Sequence, residues 1–266
     1  MTSAGAPLLS CRKLTKSFGA LTAVKNFSFD LEAGETLGIG GPNGAGKTTL
    51  FDVISGLTPI TDGEVLFEGR DVTLLSAEQI CHRGLLRTFQ FNAGFESLTV
   101  AETALAAGQF GRDNRWWPGI RFSQAARTRC EEAIAFVGLA SWRDAPTGTL
   151  SILERKLLMI ASALAAESRL LLLDEPAGGL TPKEINRMID VVEGVKAQGI
   201  SIILIEHVMR FLVRLSSRVI IMHHGEKIYE GPPDGLARDP LVVEVYLGAG
   251  AASHLNMRPD GGEERR

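Results

Sequence analysis

The chain of 266 residues is 45% hydrophobic and 22% charged, with 28 Lys and Arg against 31 Asp and Glu for a formal net charge of −3. That composition excludes a disordered or fibrous polymer, and its scattered basic residues give no electrostatic footprint for nucleic acid. Cys11, Cys81 and Cys130 stand far apart without CxxC spacing, which argues against a disulfide framework or zinc site and favours a reducing compartment.

The opening "MTSAGAPLLSCRKLTKSFG" lacks an apolar core behind a basic start, so no leader is expected there. No stretch reaches the roughly 18 uninterrupted apolar residues of a membrane span. The richest run, "LLMIASALAAESRLLLLDEP", is broken by Glu167 and Arg169. Any membrane role is therefore expected to be peripheral.

In chain order, residues 8–40 read as short strands with a turn at Ala33-Gly34, a small antiparallel sheet leading into a core strand. The pattern turns helical through "KTTLFDVISGL", stopping at Gly56, and "DGEVLFEGRDV" returns to a hairpin-like strand pair. Residues 91–150 differ. Alanine-rich periodic stretches, "TVAETALAAG" and "AARTRCEEAIAFVGL", flank a connector holding Trp116 and Trp117, which predicts an inserted helical subdomain. From 151 the elements alternate: helix 151–166, strand "RLLLLDEP", helix 182–197, strand "SIILIEH", a helix to 215, and a strand "RVIIMHHGEKIYEG". Continuous apolar strands between helices imply an α/β fold with a parallel sheet covered on both faces. Residues 248–266 are small and polar, a tail expected to be flexible. His82, His223, His224 and His254 have no evident partner and are expected on the surface.

Chemistry concentrates in two motifs. "GPNGAGKTT" fits the GxxxxGK[ST] phosphate loop and lies between a predicted strand and helix, the context the motif demands. Its members Gly41, Pro42, Asn43, Gly44, Ala45 and Gly46 would turn backbone amides toward phosphate oxygens, Lys47 would reach the β and γ phosphates of ATP, and Thr48, followed by Thr49, would offer a hydroxyl to Mg2+. The second motif, "LLLLDEP", ends an apolar strand where open α/β sheets bind ligands. Asp174 suits magnesium, directly or through water, and Glu175 suits a base for an attacking water. Ser151 and Glu154 form the S-x-x-E spacing of a capping box, and the helix end they mark is a potential anion site.

Taken together, "GPNGAGKTT", "RTFQ", "LLLLDEP" and "LIEH", in that order across residues 8–247, resemble the ATP-binding subunit of an ABC transporter. Within that family, "RTFQ", "LTV", "DEPAGGLTPKE", "IEHVM" and "VYLG" resemble the subunits that power branched-chain amino acid importers. The resemblance implies a P-loop NTPase core at 8–90 and 151–247 with an antiparallel β subdomain, and a helical subdomain at 91–150. By the same resemblance Gln90 is the glutamine that touches magnesium and the lytic water, His207 contacts the γ-phosphate, and Phe18, 23 residues before Gly41, stacks on adenine. Ser151 then belongs to the signature segment, commonly "LSGGQ", presented to ATP held by a second ATPase subunit, identical or different.

The implied partners are that second subunit, two transmembrane permeases and, indirectly, a solute-binding protein, at the cytoplasmic face of the membrane. The implied activity is ATP hydrolysis coupled to uptake of branched-chain amino acids or related small polar solutes. This chain departs from the family at Ile152 and Leu153, where glycines are expected, at Glu154, where Gln is usual, and at Thr181, where Asp is common. Related importer subunits tolerate one non-glycine residue in the signature, which makes Leu153 the sharper departure. The signature departure motivates one alternative, a regulatory ATP-binding subunit with little turnover; a soluble P-loop enzyme is the other.

Overall fold

The computed structural model describes residues 6–88, 96–111 and 122–247; Gln90, Trp116, Trp117 and the tail expected at 248–266 lie outside the described residues. Strands β1 (Leu9–Phe18) and β2 (Leu21–Leu31) pair antiparallel, and β3 (Thr36–Gly40) then enters a second sheet. Strands β4 (Asp62–Phe67) and β5 (Arg70–Asp71) return to the first, whose order is β2-β1-β4-β5. The second sheet runs β10-β9-β3-β8-β7-β6, with β6 (Leu85–Arg87), β7 (Leu170–Asp174), β8 (Ser201–Ile205), β9 (Arg218–His223) and β10 (Glu226–Gly231). All of its neighbours are parallel except β10, which folds back on β9.

The apolar strands are buried on both faces because each face packs a different layer. Leu170, Leu172, Ile203, Ile205, Ile220 and Met222 join the core shared with the antiparallel sheet and with helix α1 (Lys47–Ile54). Their alternates, Leu171, Leu173, Ile202, Leu204, Val219 and Ile221, face the core beneath the other helices. This is the period-two alternation of a strand with both sides covered. On β3 the helix-facing positions are Gly38 and Gly40. A Cβ at Gly38 would stand 2.3 Å from Ser216 Oγ and 2.8 Å from a Leu212 methyl, so glycine is what lets the helix Met209–Leu215 lie against the strand.

Helix α2 (Ala77–Cys81) is a single turn closed by a Ser76–Gln79 capping box, too short for periodicity to reveal. Helices α3 (Val100–Phe110), α4 (Gln124–Phe136) and α5 (Ile152–Ala165) form a bundle in which Val100, Ala104, Cys130 and Ile134 meet Leu153, Leu157 and Leu158. Helices α6 (Pro182–Ala197), α7 (Met209–Leu215) and α8 (Pro240–Leu247) complete the layer over the sheet. No helix among the described residues is long and apolar enough to cross a membrane.

One expectation is corrected. "RVIIMHHGEKIYEG" is a hairpin and not one strand: His224 and Gly225 adopt φ of 48° and 82°, the paired left-handed geometry of a two-residue turn. His82 also has a partner, its Nε2 lying 2.9 Å from the carbonyl oxygen of Phe110.

Candidate functional site

The turn from β3 into α1 is built by glycine. Gly41, Gly44 and Gly46 have φ of 146°, 80° and 103°, values that L side chains rarely adopt. A Cβ at Gly41 would stand 2.2 Å from the Met222 carbonyl oxygen, and one at Gly46 would stand 2.1 Å from that of Ala23. Strands β9 and β2 therefore press the loop into shape from two sides. Helix α1 begins with no side-chain cap and no acidic residue in its first turn, so its leading amides are left for an anion.

Lys47 is buried, 5% exposed, and its ammonium donates to the carbonyls of Gly41 at 2.7 Å and Pro42 at 2.9 Å. Burial pulls its pKa down, while Glu175, Asp174 and Glu206 pull it back up. The loop is thus closed around a cation that lies in the field of three carboxylates. Asn43, Gly44 and Thr48 are exposed, with Thr49 half-buried, at the rim.

Asp174 ends β7 opposite Ile205 of β8. Its amide donates to Thr88 Oγ1, and its Oδ2 accepts from Arg87 Nη2 at 2.7 Å. Arg87 Nη1 donates to Asp52 Oδ1 of α1 at 2.6 Å, and the guanidinium lies 5.5 Å from the Phe51 ring centroid. Arg87 was missed by sequence reasoning, although it sits in the quoted "RTFQ". With the Arg87 side chain 5% exposed and that of Asp52 31% exposed, replacing Arg87 with Met is expected to cost about 3 kcal/mol, the low end for breaking a buried pair. Urea unfolding would read this as a lower midpoint at unchanged slope, and a wild-type midpoint would contradict it.

Glu175 is the conformational outlier of the site. Its φ is +46°, left-handed for a residue that is not glycine, a strain that clusters at functional positions. Its amide donates to Ile205 O at 3.0 Å, and its carbonyl accepts from Gly178 N at 3.1 Å and Lys156 Nζ at 2.7 Å. His207 Nδ1 stands 3.7 Å from Glu175 Oε1, the two side chains being half and about a third exposed.

Beneath them Glu206 is fully buried, accepting from Ala177 N through Oε1 and from His207 N and Val208 N through Oε2. Burial raises its pKa against the lowering effect of those amides and of His207. It ties the loop after Glu175 to the loop carrying His207. A carboxylate closing the buried strand "SIILIE" was the available sign. Lys156 too is pushed down by burial and lifted by Glu206, Glu175 and Asp174.

Lys47, Asp174, Glu175 and His207 thus come together at the carboxyl ends of β3, β7 and β8. Phe18 lies elsewhere on the β1–β2 hairpin whose Ala23 meets Gly46, 51% exposed, with Lys16 Nζ 4.7 Å from its ring centroid. Ser151 caps α5 as expected: its amide donates to Glu154 Oε2 at 2.8 Å, and its Oγ accepts from Glu154 N at 3.3 Å. The two departures from glycine, Ile152 and Leu153, exchange importance. Leu153 is 5% exposed and fills the helical core, whereas Ile152 is 57% exposed at the helix start, so Ile152 is the side chain an approaching group would meet. Thr181 caps α6, its amide and hydroxyl both donating to Glu184 Oε2. A cleft of about 480 Å³ is lined by Ile152, Lys156, Asp174, Glu175 and His207 among others.

Residues 24–178 match the sequence family described as ABC transporter. The chain is 30% identical over 250 residues to the high-affinity branched-chain amino acid transport ATP-binding protein BraF of Pseudomonas aeruginosa, covering 91% of this chain and 98% of that protein. It is 32% identical to LivG of Salmonella typhimurium, a protein of the same description, with the same coverage. Among solved structures it superposes with a TM-score of 0.82 on the ADP conformation of MJ1267, an ATP-binding cassette of an ABC transporter, at 29% identity over 91% of this chain and 99% of that one.

Proposed function

The chain belongs to the ABC transporter family as one of its ATPase subunits, and from that premise we propose that it powers an importer for branched-chain or related amino acids. The observation that supports this best is the grouping of buried Lys47 with Asp174 and the left-handed Glu175 at the carboxyl ends of inner strands, beside a loop shaped by left-handed glycines. Two relatives that match over nearly their whole length are branched-chain amino acid transport proteins, which is the support for the solute class. Residues 8–247 act as one ATPase domain, with 91–150 as its helical subdomain, at the cytoplasmic face of the membrane.

ATP binds with its phosphates in the Gly41–Thr49 loop, where Lys47 exchanges the carbonyls of Gly41 and Pro42 for phosphate oxygens. The residues present suit magnesium. The exposed Thr48 hydroxyl and the Asp174 carboxylate are hard oxygen donors of the kind magnesium takes together with substrate phosphates. Thr48, Asp174 and Gln90 would hold it. Magnesium, when bound, neutralises charge developing on the phosphate oxygens. Glu175 takes the proton of the attacking water, Gln90 orients that water, and His207 contacts the γ-phosphate, its loop fixed by buried Glu206. Phe18 stacks on adenine at the far end.

ATP held here is completed by the signature helix of a second ATPase subunit, and two permeases receive the resulting closure. Hydrolysis removes the γ-phosphate bridge and reopens the pair. Exposed Ile152, and Thr181 where Asp is common, lie on the elements offered to the partner's nucleotide, while Lys47, Asp174, Glu175 and His207 serve this chain's own. That contrast favours an asymmetric heterodimer in which the partner supplies the better signature. Deleting this chain from its native cell is expected to abolish uptake of labelled leucine, restored by the wild-type chain but not by Lys47→Ala. Undiminished uptake would overturn the solute assignment.

A further inference from the structure

Glu175 holds a left-handed backbone, φ +46°, that its residue type disfavours. Two of its three backbone hydrogen bonds come from its immediate surroundings, the β8 carbonyl of Ile205 and the turn amide of Gly178. The third comes from a different layer of the fold. Lys156 of α5 reaches across the cleft and donates from Nζ to the Glu175 carbonyl at 2.7 Å, a charge-assisted bond stronger than a neutral one. Its position on the helix matters as much as the bond. Lys156 follows the Ser151 cap by five residues, so the helix end that carries Ser151 and exposed Ile152 is rigidly joined to the peptide unit of Glu175.

We propose that Lys156 is a positioning residue for hydrolysis: by clamping the Glu175 carbonyl it fixes the direction of the Glu175 carboxylate, and it makes that direction depend on where α5 stands. The proposal rests on Glu175 acting as the base. A lysine present only to offset the charges of Asp174, Glu175 and Glu206 would act on nucleotide and metal affinity. A clamp acts on turnover and leaves the ground-state complex alone. Movement of α5 by whatever engages its N-terminus would then change hydrolysis at this chain's own nucleotide without touching the phosphate loop.

The test measures ATP hydrolysis by the full chain in its assembled complex, binding of a fluorescent ATP analogue, and Tm. Lys156→Met, which keeps the stem and removes the donor, is expected to lower kcat 10-fold to 100-fold, with analogue Kd within 2-fold and Tm near wild type. Lys156→Arg should recover most of the loss. Lys156→Gln, which shortens the stem, is the second variant should the methionine form not fold, and its kcat should fall likewise. In a Glu175→Gln background, Lys156→Met should cause no further loss, because the group it aims is gone.

Wild-type kcat in Lys156→Met or Lys156→Gln would overturn the proposal, as would a matching loss of nucleotide affinity or an additional loss in the Glu175→Gln background. Full turnover in Glu175→Gln alone would instead overturn the assignment of the base, whatever Lys156 does.

Discussion

Glu175→Gln in this chain alone is expected to reduce ATP turnover of the complex by about 10²-fold to 10⁴-fold, the usual contribution of a general base, while nucleotide binding is retained. The amide keeps the size and hydrogen-bonding reach of the carboxylate but accepts no proton at neutral pH. Its backbone should stay in place, since Ile205, Gly178 and Lys156 all hold main-chain atoms of residue 175. His207, 3.7 Å from Oε1, loses a charged neighbour but keeps its own backbone tie to Glu206. In the proposed pairing, unhydrolysed ATP would go on bridging the two ATPase subunits, so the closed pair should accumulate and be seen by size-exclusion chromatography with ATP and magnesium. Near-wild-type turnover would sink the assignment of Glu175 as the base, and with it the asymmetric arrangement in which the nucleotide held here is the one consumed.

Lys47→Ala is expected to act one step earlier. The ammonium that now donates to Gly41 and Pro42 is the buried cation within reach of the phosphate loop, and hydrogen bonds from a charged group contribute about 1.5–3 kcal/mol each. Losing two such bonds to phosphate oxygens weakens ATP binding by about 10²-fold or more, and turnover falls with it. Titration of a fluorescent ATP analogue separates this from Glu175→Gln, which should bind as wild type. Turnover in a Lys47→Ala complex whose second site is also disabled would contradict the assignment.

The site was legible wherever a local pattern carries the chemistry. "GPNGAGKTT" announces its loop because glycines at 41 and 46 answer to backbone crowding from Met222 and Ala23. "LLLLDEP" announces its carboxylates because an acidic pair cannot continue a strand buried on both faces. Ser151 and Glu154 announce a helix start through three-residue spacing, and the capping box forms. Arg87 and Lys156 were illegible for the opposite reason, and Glu206 showed only as a carboxylate closing a buried strand. Each acts through a residue far away in sequence: Arg87 through Asp174, 87 positions on, Lys156 through Glu175, 19 on, and Glu206 through Ala177, 29 back. The exchange of roles between Ile152 and Leu153 has the same origin, since only the packing of α5 against α3 and α4 decides which side chain turns inward. The His224-Gly225 turn was missed because a histidine pair in an otherwise apolar strand does not look like the asparagine or aspartate usual before glycine there.

The most direct test of the central claim is recovery of tagged Glu175→Gln protein from detergent-solubilised membranes of its native cell, with ATP and magnesium present, and identification of what comes with it by mass spectrometry. Two permease subunits and a second ATPase carrying glycines in its own signature segment are the expected companions. Recovery of this chain alone, with ATP bound, would contradict an importer subunit and return the chain to the class of regulatory or free-standing P-loop ATPases.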